Sequence, residues 1–482
     1  MSDDLCYLPA TEALRLFRAR ELSPVELMDA VIRRSEAVQP AINALTYTHF
    51  DEAMDLARSA ESRYARGAPA GPIDGLPVAV KDEGFIEGKP TSNGSLTMRD
   101  VVAQHSSPVN ARVLAAGGIV HARTATPEFS CAGLTWSRLW GVTRNPWNTE
   151  CTPGGSSGGS GAALAAGMCS LATGSDIGGS IRIPASACGV VGLKPSYGRN
   201  PEEAPFNLDF FAHQGPMARS VGDTALLQDI MAGPHPADIA TLRDGALLAE
   251  TTAAIKGLRV AYSPDLGLFE IDPDVRRNTQ KAIDILRYLG ATVETVDLGW
   301  KSEWLDAGLQ YLKLLFGRFI ARTLEDHADD MTTYARAFAE DAMKISPDAL
   351  LQCYEAAGHM YQSLGAVLED HDVLICPTNG LPAVRADFDP SRETLCINGR
   401  ETDPDFGWFL TLPFNMLSRC PVLSVPTGQA TNGVPTGMQI VGRTYREQDI
   451  FGVAHAYQQA VSGWYDTRAK RPVIWPFESN VS

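Results

Sequence analysis

Positive charge is what this sequence most plainly lacks. Its 41 Lys and Arg face 57 Asp and Glu, giving a formal net charge of −16 at pH 7 and a pI near 5.0. An acidic exterior disfavours direct binding to nucleic acid or anionic lipid, both of which need a basic face. It reads as a solvated surface and names no substrate. Nine cysteines occur without a C-x-x-C pair, so neither a zinc ribbon nor a disulfide framework is indicated. They read mostly as reduced, buried, small apolar residues. Nine histidines occur without H-x-x-x-H spacing, so no zinc site is expected. No apolar run is long enough to span a bilayer. The opening Met-Ser-Asp-Asp-Leu-Cys-Tyr carries neither a basic n-region nor a long apolar h-region. The expectation is a cytoplasmic protein with no nucleic acid, membrane, metal or cofactor among its partners. Internal repeats and low-complexity linkers are missing as well.

What is present is a globular composition, 44% apolar and 20% charged over 482 residues. That length suits two or three domains, but large α/β enzymes also keep one continuous core. Residues 8–65 read as helices, one of them opened by Ser23-Pro24-Val25-Glu26. Ser23 is the N-cap, Pro24 stands at N1, and Glu26 closes a capping box. Residues 66–75 are a Gly/Pro-rich break. Beyond it, short apolar runs such as Leu76 to Val80 and Gly118 to Ala122 alternate with helical stretches such as Ala111 to Gly117. That alternation predicts an α/β core with much parallel sheet. Residues 272–370 form a helical excursion, led by an amphipathic helix from Asp274 to Leu289. Strands return at Val373–Cys376 and Val422–Val425, and a final helix covers Glu447 to Ala460. The simplest partition is one domain over 1–482, with a core at about 70–225 and a return to the sheet over 371–482.

The densest Gly/Ser cluster is Gly154-Gly155-Ser156-Ser157-Gly158-Gly159-Ser160-Gly161, leading into a helix-like run from Ala162 to Ala166. A phosphate-binding loop would need Lys and Ser/Thr after its last glycine, and neither is in register. A nucleophile elbow fits G-x-S-x-G but needs a strand running into the serine. Here the approach, Asn145 to Pro153, reads as loop, which disfavours a Ser-His-Asp hydrolase. Taken alone, the cluster would serve equally well as a structural loop. A second Gly–Ser turn follows 24 residues after Ser156: Asp176-Ile177-Gly178-Gly179-Ser180-Ile181-Arg182. Two glycines before a serine let consecutive N–H groups point into one small space, a nest that can hold an oxyanion.

Five segments in this order resemble the amidase signature family. They are Gly75-Leu76-Pro77-Val78-Ala79-Val80-Lys81-Asp82, Pro153 to Ser160, Asp176 to Pro184, Gly192 to Arg199, and Gly215 to Val221. The resemblance is clear over residues 70–225 and looser outside them, where Pro435 to Gly442 adds a late segment. It implies the α/β fold of that family, a large, mixed, mostly parallel sheet sandwiched between helices, and an amide hydrolase with a Ser–Ser–Lys triad: Lys81 as base, Ser156 as bridging serine after a cis peptide bond, and Ser180 as acylated nucleophile. It further implies an oxyanion hole from the N–H groups of Ile177, Gly178, Gly179 and Ser180, and a substrate contact at Ser130. Asp176 and Arg182 read as an ion pair bracing the oxyanion turn. Physics agrees on Lys81: a lysine acts as base only when neutral, and desolvation at the end of an apolar strand favours that form. Asp82 would oppose this only if it pointed the same way, and successive strand residues do not.

The expected substrate is a small molecule with an amide-like bond: a linear amide, anilide, aryl carbamate or ester. An apolar or aryl pocket could be built from Trp136, Leu139 and Trp140, from Pro205, Phe206, Leu208, Phe210 and Phe211, and from Tyr311, Leu314, Leu315 and Phe316. Ordinary core packing would explain the same residues equally well. Length and layout also resemble the glutaminase component of a tRNA-dependent amidotransferase. An inactive binding protein is disfavoured by the intact Lys81, Ser156 and Ser180. A monomer or homodimer is expected.

Overall fold

The computed structural model describes residues 2–474 apart from 244, 246, 254 and 462. Its strands in chain order are β1 Leu45–Thr48, β2 Pro77–Lys81, β3 Ile119–Thr124, the hairpin β4 Trp136–Ser137 with β5 Gly141–Val142, β6 Leu171–Ser175, β7 Val191–Lys194 and β8 Gln214–Ala218. There follow β9 Arg259–Tyr262, β10 Thr292–Thr295, β11 Val373–Pro377, the hairpin β12 Leu395–Ile397 with β13 Arg400–Thr402, β14 Val422–Gln429 and β15 Pro435–Gly442. Eleven of them form one sheet in the order β1-β3-β2-β6-β8-β7-β14-β15-β11-β9-β10.

The expected mixed α/β sheet is therefore present. Parallel pairs gather at two flanks, β3-β2-β6 and β11-β9-β10, where crossover segments separate the strands. The other six pairs are antiparallel. β14 and β15 form a hairpin whose short turn permits only that sense.

Both sheet faces are buried, as alternate residues show. In β11, Val373 and Ile375 pack with Ala282, Ile283 and Leu286 of the helix Pro273–Tyr288 and with Phe451 of the helix Glu447–Ala460. Leu374 and Cys376 face the other way, towards Tyr311, Phe338 and Met360 of the helical excursion. In β2, Val78 and Val80 meet the N-terminal helices through Phe17, Leu27 and Val31, whereas Ala79 meets the helix Gly158–Ala165. Period-two alternation with both faces covered explains why these strands read as continuous apolar runs.

Most expected elements stand within a few residues of their places. The capping box at Ser23 is formed, with Ser23 accepting from Val25 N and Glu26 accepting from Ser23 N. Two short edge strands depart from the helical reading. Leu45–Thr48 lies inside the N-terminal helical stretch and pairs with β3, and Thr292–Thr295 lies inside the helical excursion and pairs with β9. Both are rich in Thr, Val or Tyr, which favour pleated backbone, but four residues are too few to reveal a period. Seven of the nine free cysteines are buried; Cys151 is half-buried and Cys396 exposed. Among the described residues no helix is long and apolar enough to cross a membrane, and no His/Cys/Asp/Glu group could hold a metal.

The helix Ala10–Ala19 begins after Pro9, which cannot cap it. Asp223, from the helix Val221–Met231, does so across the fold, accepting from Ala10 N at 3.0 Å and Thr11 N at 2.9 Å. Losing a capping acceptor costs about 1 kcal/mol, and buried orphan donors raise the cost. Asp223→Ala is expected to destabilise this docking by about 1–2 kcal/mol, read as faster amide hydrogen exchange confined first to residues 10–19.

Candidate active site

The parallel strands β2 and β6 end side by side, and Lys81 and Ser175 close them. The carboxyl edge of parallel strands is where α/β sheets place their ligands. Lys81 Nζ donates to Ser156 Oγ at 2.7 Å and to Ser175 Oγ at 2.7 Å, and it lies 3.1 Å from Glu83 Oε2. Its side chain is 2% exposed. Burial pushes the lysine below its ordinary value of 10.5, and the Glu83 carboxylate works in the opposite direction. Asp82 points away, as alternation requires, and its carboxylate bonds to Ser92. Burial raises the Asp82 carboxyl to about 6, against the pull of Arg123.

Ser156 follows a cis Gly155–Ser156 peptide bond, just ahead of the helix Gly158–Ala165. Position 155 has no room for a side chain, because a Cβ there would lie 2.2 Å from Leu134 O. Ser157 N donates to Ser180 O at 3.1 Å, and Ser157 Oγ accepts from Ser175 N at 3.3 Å, so the two serine loops are stitched together. Ser180 Oγ has no hydrogen-bond partner among the described residues and borders a cavity. The backbone N–H groups of Ile177, Gly178, Gly179 and Ser180 likewise have no intramolecular acceptor among the described residues. Gly179 has φ +131°, and a Cβ there would meet Thr411 Oγ1 at 2.0 Å. That threonine donates to Gly178 O at 2.6 Å. No described histidine hydrogen-bonds to Ser156 or Ser180. His213 instead bonds to Phe211 O, and burial beside Lys194 lowers it to about 3.

The Asp176–Arg182 pair expected from the sequence is formed and fully buried. Arg182 Nε and Nη2 donate to the two carboxylate oxygens at 2.9 and 2.8 Å. Burial alone would raise the Asp176 carboxyl, but Arg182 and Asn415 hold it at about 2, against an ordinary 3.8. Ser130 stands across the cavity, with its hydroxyl 2.5 Å from Glu83 Oε2, 2.9 Å from Asn93 Oδ1 and 2.9 Å from Thr126 Oγ1. The side chain is thus engaged by three partners, and the residue borders the cavity.

The cavity opens to solvent, and the free space in and around its mouth comes to roughly 330 Å³. Its lining includes Ser130, Ile177, Gly178 and Ser180 together with an apolar wall of Leu312, Phe316, Phe338, Phe406 and Phe409. No charged side chain lines it. Of the aromatic residues singled out in the sequence, Phe316 lies on this wall. Trp136 packs edge-on to Tyr334, Trp140 to Tyr47, and Phe210 and Phe211 lie against Tyr311 in the core. Phe338, Phe406 and Phe409 were not anticipated, because nothing local marks a residue that reaches the site from so far along the chain. Glu83 and Ser175 were also missed, although each had a signal. Glu83 is two residues past Lys81 and so shares its side, and Ser175 ends the strand that precedes the 177–180 turn.

The amidase family pattern matches residues 26–451. The chain belongs to the amidase signature family. It is 34% identical over 478 residues to an acylamidase of Rhodococcus erythropolis, covering 96% of this chain and 98% of that one. It is 35% identical over 479 residues to one of the subunits of the glutamyl-tRNA(Gln) amidotransferase of Synechococcus sp. strain CC9605, covering 91% and 94%. A crystal structure of a bacterial aryl acylamidase of the amidase signature family superposes with a TM-score of 0.89 at 29% identity, covering 97% and 99%. As a family member, this chain is a hydrolase of amide C–N bonds.

The buried ion pair gives a stability test. Arg182→Met leaves the Asp176 carboxylate buried without its partner, at an expected cost of about 3–5 kcal/mol. Because the folded-state value lies below the ordinary one, the stabilisation is complete above about pH 4 and is lost as pH falls towards 2. Denaturation of wild type and variant at pH 7 and near pH 3 measures both effects, and the difference between them is expected to narrow at the lower pH.

Proposed function

We propose that Ser180 is the acylated nucleophile, Ser156 the proton relay and Lys81 the base of an amidase acting on apolar or aryl amides as a free enzyme. The observation that carries this reading is the buried Lys81 hydrogen-bonded to Ser156, beside a Ser180 hydroxyl and four N–H groups all without partners among the described residues. Neutral Lys81 takes the Ser156 proton, and Ser156 takes that of Ser180. Ser180 Oγ then attacks the carbonyl carbon, and the N–H groups of Ile177 to Ser180 hold the oxyanion; each well-placed donor of this kind is worth about 3–4 kcal/mol. The relay returns a proton to the leaving amine, the C–N bond breaks, and water hydrolyses the acyl-enzyme by the reverse path. A Ser156–Ser180 hydrogen bond is not needed beforehand, since catalytic hydrogen bonds often tighten only around substrate.

The wall of Leu312, Phe316, Phe338, Phe406 and Phe409 supports an apolar acyl or aryl group as the part recognised. Glutamine, the nitrogen source of a tRNA-dependent amidotransferase, carries an ammonium and a carboxylate. Burying those unpaired would be costly, and the cavity lining offers no charged partner. This favours a free hydrolase over the glutaminase component of a complex. The nine free cysteines fit a cytoplasmic setting. One sheet takes strands from Leu45 to Gly442, which supports reading residues 1–482 as one amidase domain.

A fluorophosphonate probe followed by peptide mapping is expected to modify Ser180. Ser180→Ala should lose labelling and roughly 10⁴-fold or more in kcat/KM on an anilide without ATP. Modification of Ser156 alone would overturn the assignment. With Lys81 as base, kcat/KM should rise with pH to an apparent value below 10.5, and this rising limb should vanish in Lys81→Met.

A further inference from the structure

Glu83 touches Lys81 and has no place in the relay just described. After β2 ends at Lys81, the next residue points away and the one after it returns to the same side. Glu83 Oε2 thus lies 3.1 Å from Lys81 Nζ, and the same oxygen accepts from Ser130 Oγ at 2.5 Å. Phe129 and Ser130 both have left-handed backbone, at φ +53° and +58°, and both belong to the turn that brings Ser130 to the cavity. A carboxylate that is 16% exposed therefore links the lysine to the rim of the substrate cavity.

We propose that Glu83 is a positioning residue that sets the basicity of Lys81 and anchors it to the Phe129–Ser130 turn. The inference rests on reading Lys81 as the base. Burial favours the neutral amine, the form a base needs, but a lysine desolvated without compensation gains little by taking a serine proton. A carboxylate at 3.1 Å stabilises the ammonium formed when Lys81 accepts that proton. It thus acts at the moment of transfer, and burial and Glu83 together place the base between two extremes.

The other charges around the pair are farther off or already paired. Asp176 and Glu202 act on Lys81 in the same sense as Glu83 but more weakly. Asp176 is neutralised by Arg182, and burial raises the Glu202 carboxyl to about 7. Arg123, on β3, lies 3.7 Å from Asp82, donates to Lys81 O and Gly84 O, and feels Glu83 only at longer range.

The test is the pH dependence of kcat/KM on an aryl amide for wild type, Glu83→Gln, Glu83→Asp and Lys81→Met, with the rate of fluorophosphonate labelling as a parallel readout. Glu83→Gln keeps the shape and removes the charge. Its rising limb is expected to move down by about 1–3 pH units, with a lower plateau because the base is weaker. Glu83→Asp, which keeps the charge at shorter reach, should place the limb between the two. A Glu83→Gln limb at the wild-type position, or a Glu83→Asp limb coincident with that of Glu83→Gln, overturns the proposal. If Glu83→Gln does not fold, Glu83→Asp alone decides: a limb displaced downward supports the proposal, and one at the wild-type position overturns it. Lys81→Met separates the two levels. Loss of its activity with an unmoved Glu83→Gln limb defeats this inference and leaves the base assignment standing, whereas a surviving wild-type limb in Lys81→Met defeats the base assignment itself.

Discussion

A guanidinium taken wholly out of water needs five acceptors, and Arg182 has them. Nε and Nη2 hold Asp176, Nη1 holds Thr411 O and Gln439 Oε1, and Nη2 also reaches Asn415 Oδ1. No donor is left over. Four pieces of chain meet at that one group: the 177–180 turn, the helix that follows it, the 411–415 segment, and β15 within the sheet. A buried ion pair is poor evidence of net stability, since desolvation offsets the attraction. Its consequence here is geometric. With Asp176 fixed before the turn and Arg182 after it, Ile177 to Ser180 have little freedom to rotate their N–H groups inward and satisfy them on the protein. Thr411 completes the constraint by bonding Gly178 O and filling the space where a side chain at 179 would stand.

This explains which parts of the site could be read from sequence. Local devices are legible: the glycines before Ser180, the Asp176–Arg182 spacing, the capping box at Ser23, and the apolar run that ends at Lys81. Each depends on residues a few positions apart. Asn415, Gln439 and Thr411 stand far along the chain from Arg182 and are ordinary residues in their own segments, so nothing local marks them. The cavity wall is the same case. Several aromatics picked out from the sequence, among them Phe210 and Tyr311, are core packing. Phe338, Phe406 and Phe409 reach the cavity from the helical excursion and from the approach to β14, because the sheet folds those distant segments over the oxyanion turn. Glu83 differs again. Its relation to Lys81 follows from period-two alternation, the same rule that turns Asp82 away, applied one residue further.

In the proposed relay, Ser156 and Ser180 divide two roles that one serine holds in a nucleophile elbow. An elbow places its serine between a strand and a helix, so that the hydroxyl meets both a base and an oxyanion hole. In this chain Ser156 sits at a helix entrance without a strand behind it, and Lys81 bonds to it from the end of β2. It is thus well placed to pass a proton and poorly placed to face a cavity. Ser180 comes five residues after β6, on a turn that borders the cavity, and among the described residues no basic side chain hydrogen-bonds to it. The stitch from Ser157 N to Ser180 O brings the two halves together. Lysine suits this division. Its thin stem reaches from the end of a strand through a packed interior, and burial adjusts its basicity over several pH units. The same burial makes the amine sensitive to any carboxylate within reach, and Glu83, two positions beyond the lysine, lies 3.1 Å from it.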